Sequence, residues 1–421
     1  MTRTSLTPVR GISRRLLLRG AAAGAVGAAL APMAFPLWAR DLPASWGNAI
    51  SFNAALDTAV AEGQIVGVTA IVVQDGKIVH RHAAGFADRE AGRPMHENEA
   101  CRLASMTKPI VSLTALALAD KGKLHLDDPV HRWLPDFRPK LADGSTPDIT
   151  IQHLLTHTAG LNYGFLEKPD GPYHRFGVSD GLDTSGLTLD ENIRRIAAAP
   201  LLFAPGSAWH YSLATDVLGG VLERVADKPL PDAVKEHVTA PLGLDDTRFV
   251  APVGARLAIP YHDASPQPKP MSDPFALPFA QSAVIYSPAR AFDANAFPSG
   301  GAGLVGTAED YVRFAEAIRT GGAGIISPQT ARAMTTNAVG NLAITAAGPG
   351  YGWGLGVCVV KDPAVAGVPM ARGSWMWSGI YGTHFWVDPV RRLTVVVLTN
   401  TAVAGMSGPF PQSVREAVYA G

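Results

Sequence analysis

Ser105 and Lys108 stand three residues apart at the head of an Ala/Leu-rich run that ends at Gly122. A helix starting near Ser105, with Pro109 in its first turn, puts the hydroxyl and the amine on one face with the helix N-terminus beneath both. A serine hydroxyl is a poor nucleophile until a base removes its proton. Lysine can serve as that base where burial and a neighbouring cation or phenol bring its pKa towards neutrality. The pair is a candidate nucleophile and base, and a third group is needed. Tyr211, which the loop from Pro205 delivers to the start of a later helix, can accept or relay the lysine's proton.

Other patterns offer competing chemistry. Gly177-Val178-Ser179-Asp180-Gly181 has the spacing of the G-x-S-x-G elbow, which requires a strand before it and a helix after it. Here it lies between Pro172–Phe176 and Leu182–Gly186, and it reads as a loop. His153 and His157 are four apart, but the segment lacks the glutamate of H-E-x-x-H and no third ligand is indicated. They read as structural histidines, so no metal and no cofactor is expected. Cys101 and Cys358 are the only cysteines and read as two buried thiols rather than a bridge.

The elements around these residues follow from periodicity. Ser51 to Glu62 has helical spacing at Phe52, Leu56 and Val60 behind a Ser cap. Val66–Val73 and Lys77–Ala84 flank Gln74-Asp75-Gly76, a hairpin signal. From Leu124 to Phe297 helical patches (149–157, 189–199, 212–226 and 233–239) alternate with loops, and the proline-rich stretch 263–278 reads as a surface excursion or linker. Thr307 caps a helix running to about Arg319, strand-like segments follow at 351–360, 374–377, 384–388 and 393–400, and a short helix closes at 412–419. Strands at both ends of the chain around a helical middle predict one antiparallel sheet closed by both termini.

The 421 residues carry 36 acidic and 36 basic side chains. That balance offers no basic surface for nucleic acid or for an anionic membrane, and it suits a buried-pocket enzyme. At the N-terminus, Ser13-Arg14-Arg15-Leu16-Leu17-Leu18-Arg19 resembles a twin-arginine signal, and the Ala/Gly run from Gly20 to Ala34 is too short and mild to span stably. Cleavage is expected near Ala39, with the mature protein periplasmic or secreted and without a stable membrane span.

Ser105-Met106-Thr107-Lys108, Tyr211-Ser212-Leu213 and Trp377-Ser378-Gly379, in that order, resemble the S-x-x-K, Y-x-N and K-T-G triple of the β-lactamase and penicillin-binding-protein superfamily. Leu154–Leu161 and Gly301–Leu304 resemble its class C-like branch, and the resemblance covers roughly Ile50 to the C-terminus. Leu213 stands where a class C enzyme has asparagine and Trp377 where it has lysine, and both resemble the family VIII carboxylesterases. The resemblance implies an α+β fold in which residues 45–123 and 298–421 form a sheet domain, residues 124–297 a mostly helical domain, and the active site lies between them. It implies that Ser105 attacks the carbonyl of a small-molecule ester with short acyl chains while Lys108 and Tyr211 share the base role. The oxyanion is expected between the backbone N–H groups of Ser105 and Ile380, with Leu213, Trp377, Ser378 and Gly379 at the substrate. A β-lactamase, a D-amino-acid peptidase, an acyltransferase and a catalytically silent ligand-binding module are the alternatives, and the oligomeric state is left open.

Overall fold

Alternating and continuous apolar runs at the two ends of the chain pair within each end and also with each other. The computed structural model describes residues 46–420; the expected signal segment lies outside them. An eight-stranded sheet runs, in spatial order, through Tyr351–Trp353, Cys358–Val360, Trp375–Gly379, Thr383–Asp388, Leu393–Thr399, Gly67–Gln74, Lys77–Asp88 and Arg93–Pro94, and every neighbour is antiparallel. Val68 opposes Thr399 and Gln74 opposes Leu393, so the N-terminal hairpin completes a sheet begun by the C-terminal strands. Asp75 and Gly76 both take positive φ, which the two-residue hairpin turn demands.

Two inner strands, Gly67–Gln74 and Leu393–Thr399, are buried almost throughout, because helices cover both faces. On one face Phe52 and Leu56 of the helix Ala49–Ala61 and Phe410, Val414 and Val418 of the helix Pro409–Tyr419 pack onto Val68, Ala70, Val395, Val397 and Trp386. Ser51 is not the cap of the first helix: its Oγ donates to the carbonyls of Asn48 and Ala417, tying the two terminal helices together. The helix Ala308–Arg319 covers the other face, with Thr307 Oγ1 accepting from Asp310 N–H as its cap.

The middle of the chain carries helices at Ile151–Leu155, Leu189–Ala198, Ala214–Ala226 and Leu230–Val234, separated by long loops. One expectation fails there. The proline-rich stretch is not a featureless excursion: Tyr261–His262 pairs with Lys269–Pro270, and Phe275–Phe279 pairs with Ser282–Tyr286 in a hairpin. Prolines 274 and 278 mask the strand pattern, and a two-stranded ribbon tolerates them because each strand has a free edge.

The helix Thr107–Asp120 is the centre of the molecule, and every residue from Thr107 to Leu118 is buried. A helix apolar on all sides belongs inside a protein, so the Ala/Leu composition around Lys108 fixes the environment of the amine before any motif is considered.

Candidate active site

The turn before that helix is held from three directions. Ala104 takes φ +44°, a conformation that costs a non-glycine residue roughly 1–2 kcal/mol, so surrounding contacts must impose it. Tyr311 Oη donates to Met106 O at 2.9 Å, and Thr383 Oγ1 donates to Leu103 O at 3.2 Å. The strand Trp375–Gly379 passes so close that a Cβ on Gly379 would lie 2.1 Å from Leu103 O and 2.5 Å from Thr383 Oγ1. Glycine is required there to bring the sheet edge beside Ser105. Just past the strand, Tyr286 Oη donates to Ile380 O at 3.2 Å. Among the described residues, neither the Ser105 nor the Ile380 N–H enters a hydrogen bond, which leaves both amides available to an oxyanion.

Lys108 is wholly buried. Its Nζ donates to Tyr163 Oη at 2.8 Å, to Gly301 O at 2.9 Å and, more weakly, to Ser105 Oγ at 3.3 Å. It also lies 4.6 Å from the centre of the Tyr211 ring. The arrangement differs from the sequence expectation: the phenol bonded to Lys108 is that of Tyr163, while Tyr211 gives the amine its ring face. The Tyr211 hydroxyl accepts from Trp377 Nε1 at 3.4 Å, and its ring is wedged among His157, Trp209, Tyr163 and Trp377. Burial, followed by the neighbouring Tyr211, Asp216 and Asp180, pushes the Tyr163 hydroxyl well above the usual phenol range, so it stays protonated. Nothing in the sequence marks Tyr163 beyond its position two residues after the Leu154–Leu161 segment.

A buried carboxyl backs this cluster. Asp216 accepts from Ser299 Oγ at 2.6 Å, and its charge is set against Lys108. Gly301 admits it: a Cβ there would lie 2.3 Å from Asp216 Oδ2 and 3.1 Å from Tyr163 Oη. Burial raises the Asp216 carboxyl from its ordinary range despite those partners.

Ser105 opens onto a cavity of about 350 Å³ whose walls include Tyr163, Tyr211, Trp377, Ser378 and Ile380. The structure thus brings Ser105, Lys108, Tyr211, Trp377, Ser378, Gly379 and Ile380 together, Gly379 from behind the wall. Leu213 is the exception, lying outside the cavity wall where the resemblance implied a substrate contact. It is fully buried, its N–H donates to Asn162 O at 3.1 Å, and it precedes the first turn of the helix Ala214–Ala226, facing the interior rather than the cavity. Wall residues not anticipated include Asp180, Phe165 and Phe279, the last from the hairpin read as linker. A larger cavity, about 560 Å³, lies beside Lys235 and Arg248 and contains none of the candidate catalytic groups.

The competing motifs resolve by their surroundings. Ser179 is buried in a loop, its Oγ donating to an Asp183 carboxylate oxygen and accepting from Gly181 N–H at 3.1 Å. His153 caps the helix Ile151–Leu155 by accepting from Thr150 N–H at 3.2 Å. His157 lies past that helix at φ +55°, buried against Trp209, Tyr211 and Trp353, so the two imidazoles share no face. Burial lowers the His157 pKa well below the usual value and keeps it neutral. Among the described residues no group of three or more His, Cys, Asp or Glu side chains could hold a metal ion, and no helix is long and apolar enough to cross a membrane. Cys101 and Cys358 are free and buried, and burial pushes the Cys101 thiol up to about 12.

Comparison with known proteins agrees with this geometry. The β-lactamase family model matches residues 52–413. Esterase EstB of Burkholderia gladioli is 49% identical over 396 residues, 93% of this chain and 99% of that protein. The structure of EstCE1, described as a hydrolase with promiscuous acyltransferase activity, superposes with a TM-score of 0.86 at 44% identity, covering 88% of this chain and 98% of that one. Simvastatin synthase of Aspergillus terreus shares the fold, with a TM-score of 0.69 at 23% identity over 89% of this chain and 99% of that one.

Proposed function

The chain belongs to the β-lactamase family, and from that premise we propose that it is a serine carboxylesterase that hydrolyses esters of short acyl chains through an acyl-enzyme on Ser105. The observation that carries this reading is the three-acceptor environment of Lys108, one arm of which reaches Ser105 at the mouth of an apolar cavity. Ser105 Oγ attacks the ester carbonyl, and its proton passes to the Lys108–Tyr211 unit, which returns it to the leaving alkoxide. Water then enters by the same path and releases the acid. Tyr163, held as a neutral phenol, positions the Lys108 amine rather than serving as a phenolate base. The Ser105 and Ile380 amides receive the oxyanion.

Trp377 supports the choice of ester over β-lactam. Where the K-T-G motif offers an ammonium to a β-lactam carboxylate, this cavity offers an indole. Losing one charge-assisted hydrogen bond costs roughly 1.5–3 kcal/mol, or about ten- to a hundredfold or more in specificity constant. Acyl transfer to an alcohol in place of water is a second reading, favoured by the same aromatic walls, which suit an organic acceptor. The twin-arginine-like segment Ser13–Arg19 supports a periplasmic or secreted enzyme, a reading that cell fractionation tests.

Mass spectrometry after incubation with a fluorophosphonate, together with rates on p-nitrophenyl butyrate and a cephalosporin, tests the proposal. A single adduct on Ser105 and a higher kcat/KM for the ester are expected. An adduct elsewhere, or a cephalosporin value equal to that of the ester, overturns it.

A further inference from the structure

The loop Gly177–Gly181 does not supply a nucleophile, yet it supplies the cavity with Asp180. Of the described residues lining that cavity, Asp180 alone can carry a negative charge near neutral pH. It is fixed in place: Gly164 N–H donates to Oδ1 at 2.7 Å and Phe165 N–H to Oδ2 at 3.1 Å, one bond per oxygen, so acceptor capacity remains on both. A Cβ on Gly164 would lie 3.0 Å from Oδ2, so the backbone approaches the carboxyl closely.

The other polar groups of the wall point the same way. His210 Nε2 bonds to Asn162 Oδ1 at 2.8 Å, which assigns the proton to Nε2 and leaves Nδ1 an acceptor, and burial lowers its pKa so that the ring is neutral. Aromatic faces supply the rest: Tyr163 stacks on Phe165 at 4.6 Å, Phe279 meets Phe165 edge-on at 5.8 Å, and Tyr211 and Trp377 close the other side. The one basic group deep in the site, Lys108, is already engaged by three acceptors. A carboxyl and an acceptor nitrogen set among aromatic rings favour a cation and repel an anion.

We propose that Asp180 is a specificity-determining carboxylate, through which the cavity takes esters bearing an alkylammonium group in preference to neutral isosteres and to carboxylated esters. The inference rests on the esterase reading and names its substrate class. Burial holds the Asp180 carboxyl up to about 7, helped by the like charges of Asp183 and Asp216 and opposed by the two N–H donors. Tyr163 and Tyr173 also face it, both held neutral by burial. Preference for the cation therefore grows as pH rises through 7.

Three thioesters with one acyl group test this: butyrylthiocholine, its neutral isostere 3,3-dimethylbutyl thiobutyrate, and the anionic S-butyryl-3-mercaptopropionate. Ratios of kcat/KM are compared from pH 5.5 to 8.5, so that titration of the shared catalytic groups cancels. In the wild type the cation-to-neutral ratio is expected to rise about tenfold across that range, with the anion disfavoured most at the upper end. Asp180→Asn should flatten the profile and bring the ratios near unity. A wild-type cation-to-neutral ratio near unity across the range overturns the inference by itself, even if the variant fails to fold, and so does a folded Asp180→Asn protein that keeps the wild-type ratios. p-Nitrophenyl butyrate separates the two failures: hydrolysis of it with ratios near unity removes the charge selectivity alone, whereas no hydrolysis removes the esterase reading.

Discussion

Ser105 and Ser179 each sit inside a short pattern that marks a nucleophile in some hydrolase family, and their surroundings are opposite. Ser105 has the Lys108 amine at 3.3 Å, a turn pinned by the sheet and an open cavity before it. Ser179 has a carboxylate acceptor, a backbone donor and almost no exposure. A hydroxyl becomes useful through what removes its proton and what can reach it, and neither is contained in the five letters of a motif. The same contrast shows what a loop without a nucleophile can still contribute, since the residue after Ser179 reaches the substrate cavity.

The comparison breaks most directly at Ser105. Ser105→Ala should abolish both turnover and the covalent adduct, and residual adduct at Ser179 would reverse the assignment. Lys108 comes next. Lys108→Met fills the volume of the amine without its base, so turnover should fall about a hundred- to ten-thousandfold, and the melting temperature should fall as well, because Gly301 O, Tyr163 Oη and the buried Asp216 carboxyl lose the group set against them. A rate within a few-fold of wild type would remove lysine from the mechanism.

Gly379→Ala sharpens the comparison without touching a reacting group. The new Cβ has no room against Leu103 O, so the strand and the nucleophile turn must separate. A displacement near 1 Å costs about a hundredfold in rate, and the effect should appear mainly in kcat. Tyr163→Phe is smaller: losing one hydrogen bond to a charged group is worth roughly 1.5–3 kcal/mol, or about ten- to a hundredfold or more. An unchanged rate for Tyr163→Phe would leave the positioning of Lys108 to Gly301 and Ser105.

The part of this site legible in the sequence is the part encoded locally. Ser105 and Lys108 share one helical turn, and Asp75-Gly76 fixes its hairpin through two backbone angles. The closing of the sheet by both termini was also legible, because β-rich ends had few other partners. What escaped depends on contacts between distant segments. Tyr163 reaches Lys108 across 55 residues of chain, and Phe279 reaches the cavity from a hairpin whose prolines conceal it. Leu213 failed for a different reason: the motif aligned its position, but the fold spent its side chain on the helical core. Asp180 was visible only as one letter of a discarded motif.

The smallest predicted effect on rate tests the comparison from its quiet side. Ser179 Oγ satisfies two neighbours in a buried loop, giving its proton to Asp183 and accepting from Gly181 N–H. Ser179→Ala leaves that N–H and one carboxylate oxygen without their partner, which costs about 1–3 kcal/mol of stability. The backbone N–H of Ser179 still donates to Asn192 Oδ1 at 2.8 Å, and the Asn192 amide still donates to Ser179 O at 3.0 Å, so the path of the loop is held. Asp180 keeps its own two donors from residues 164 and 165. The melting temperature should therefore fall while kcat/KM for p-nitrophenyl butyrate stays within about threefold of wild type, a shift of less than 1 kcal/mol in the barrier. A folded Ser179→Ala protein without activity would mean that the hydroxyl does chemistry despite its burial, and the contrast between the two serines would collapse.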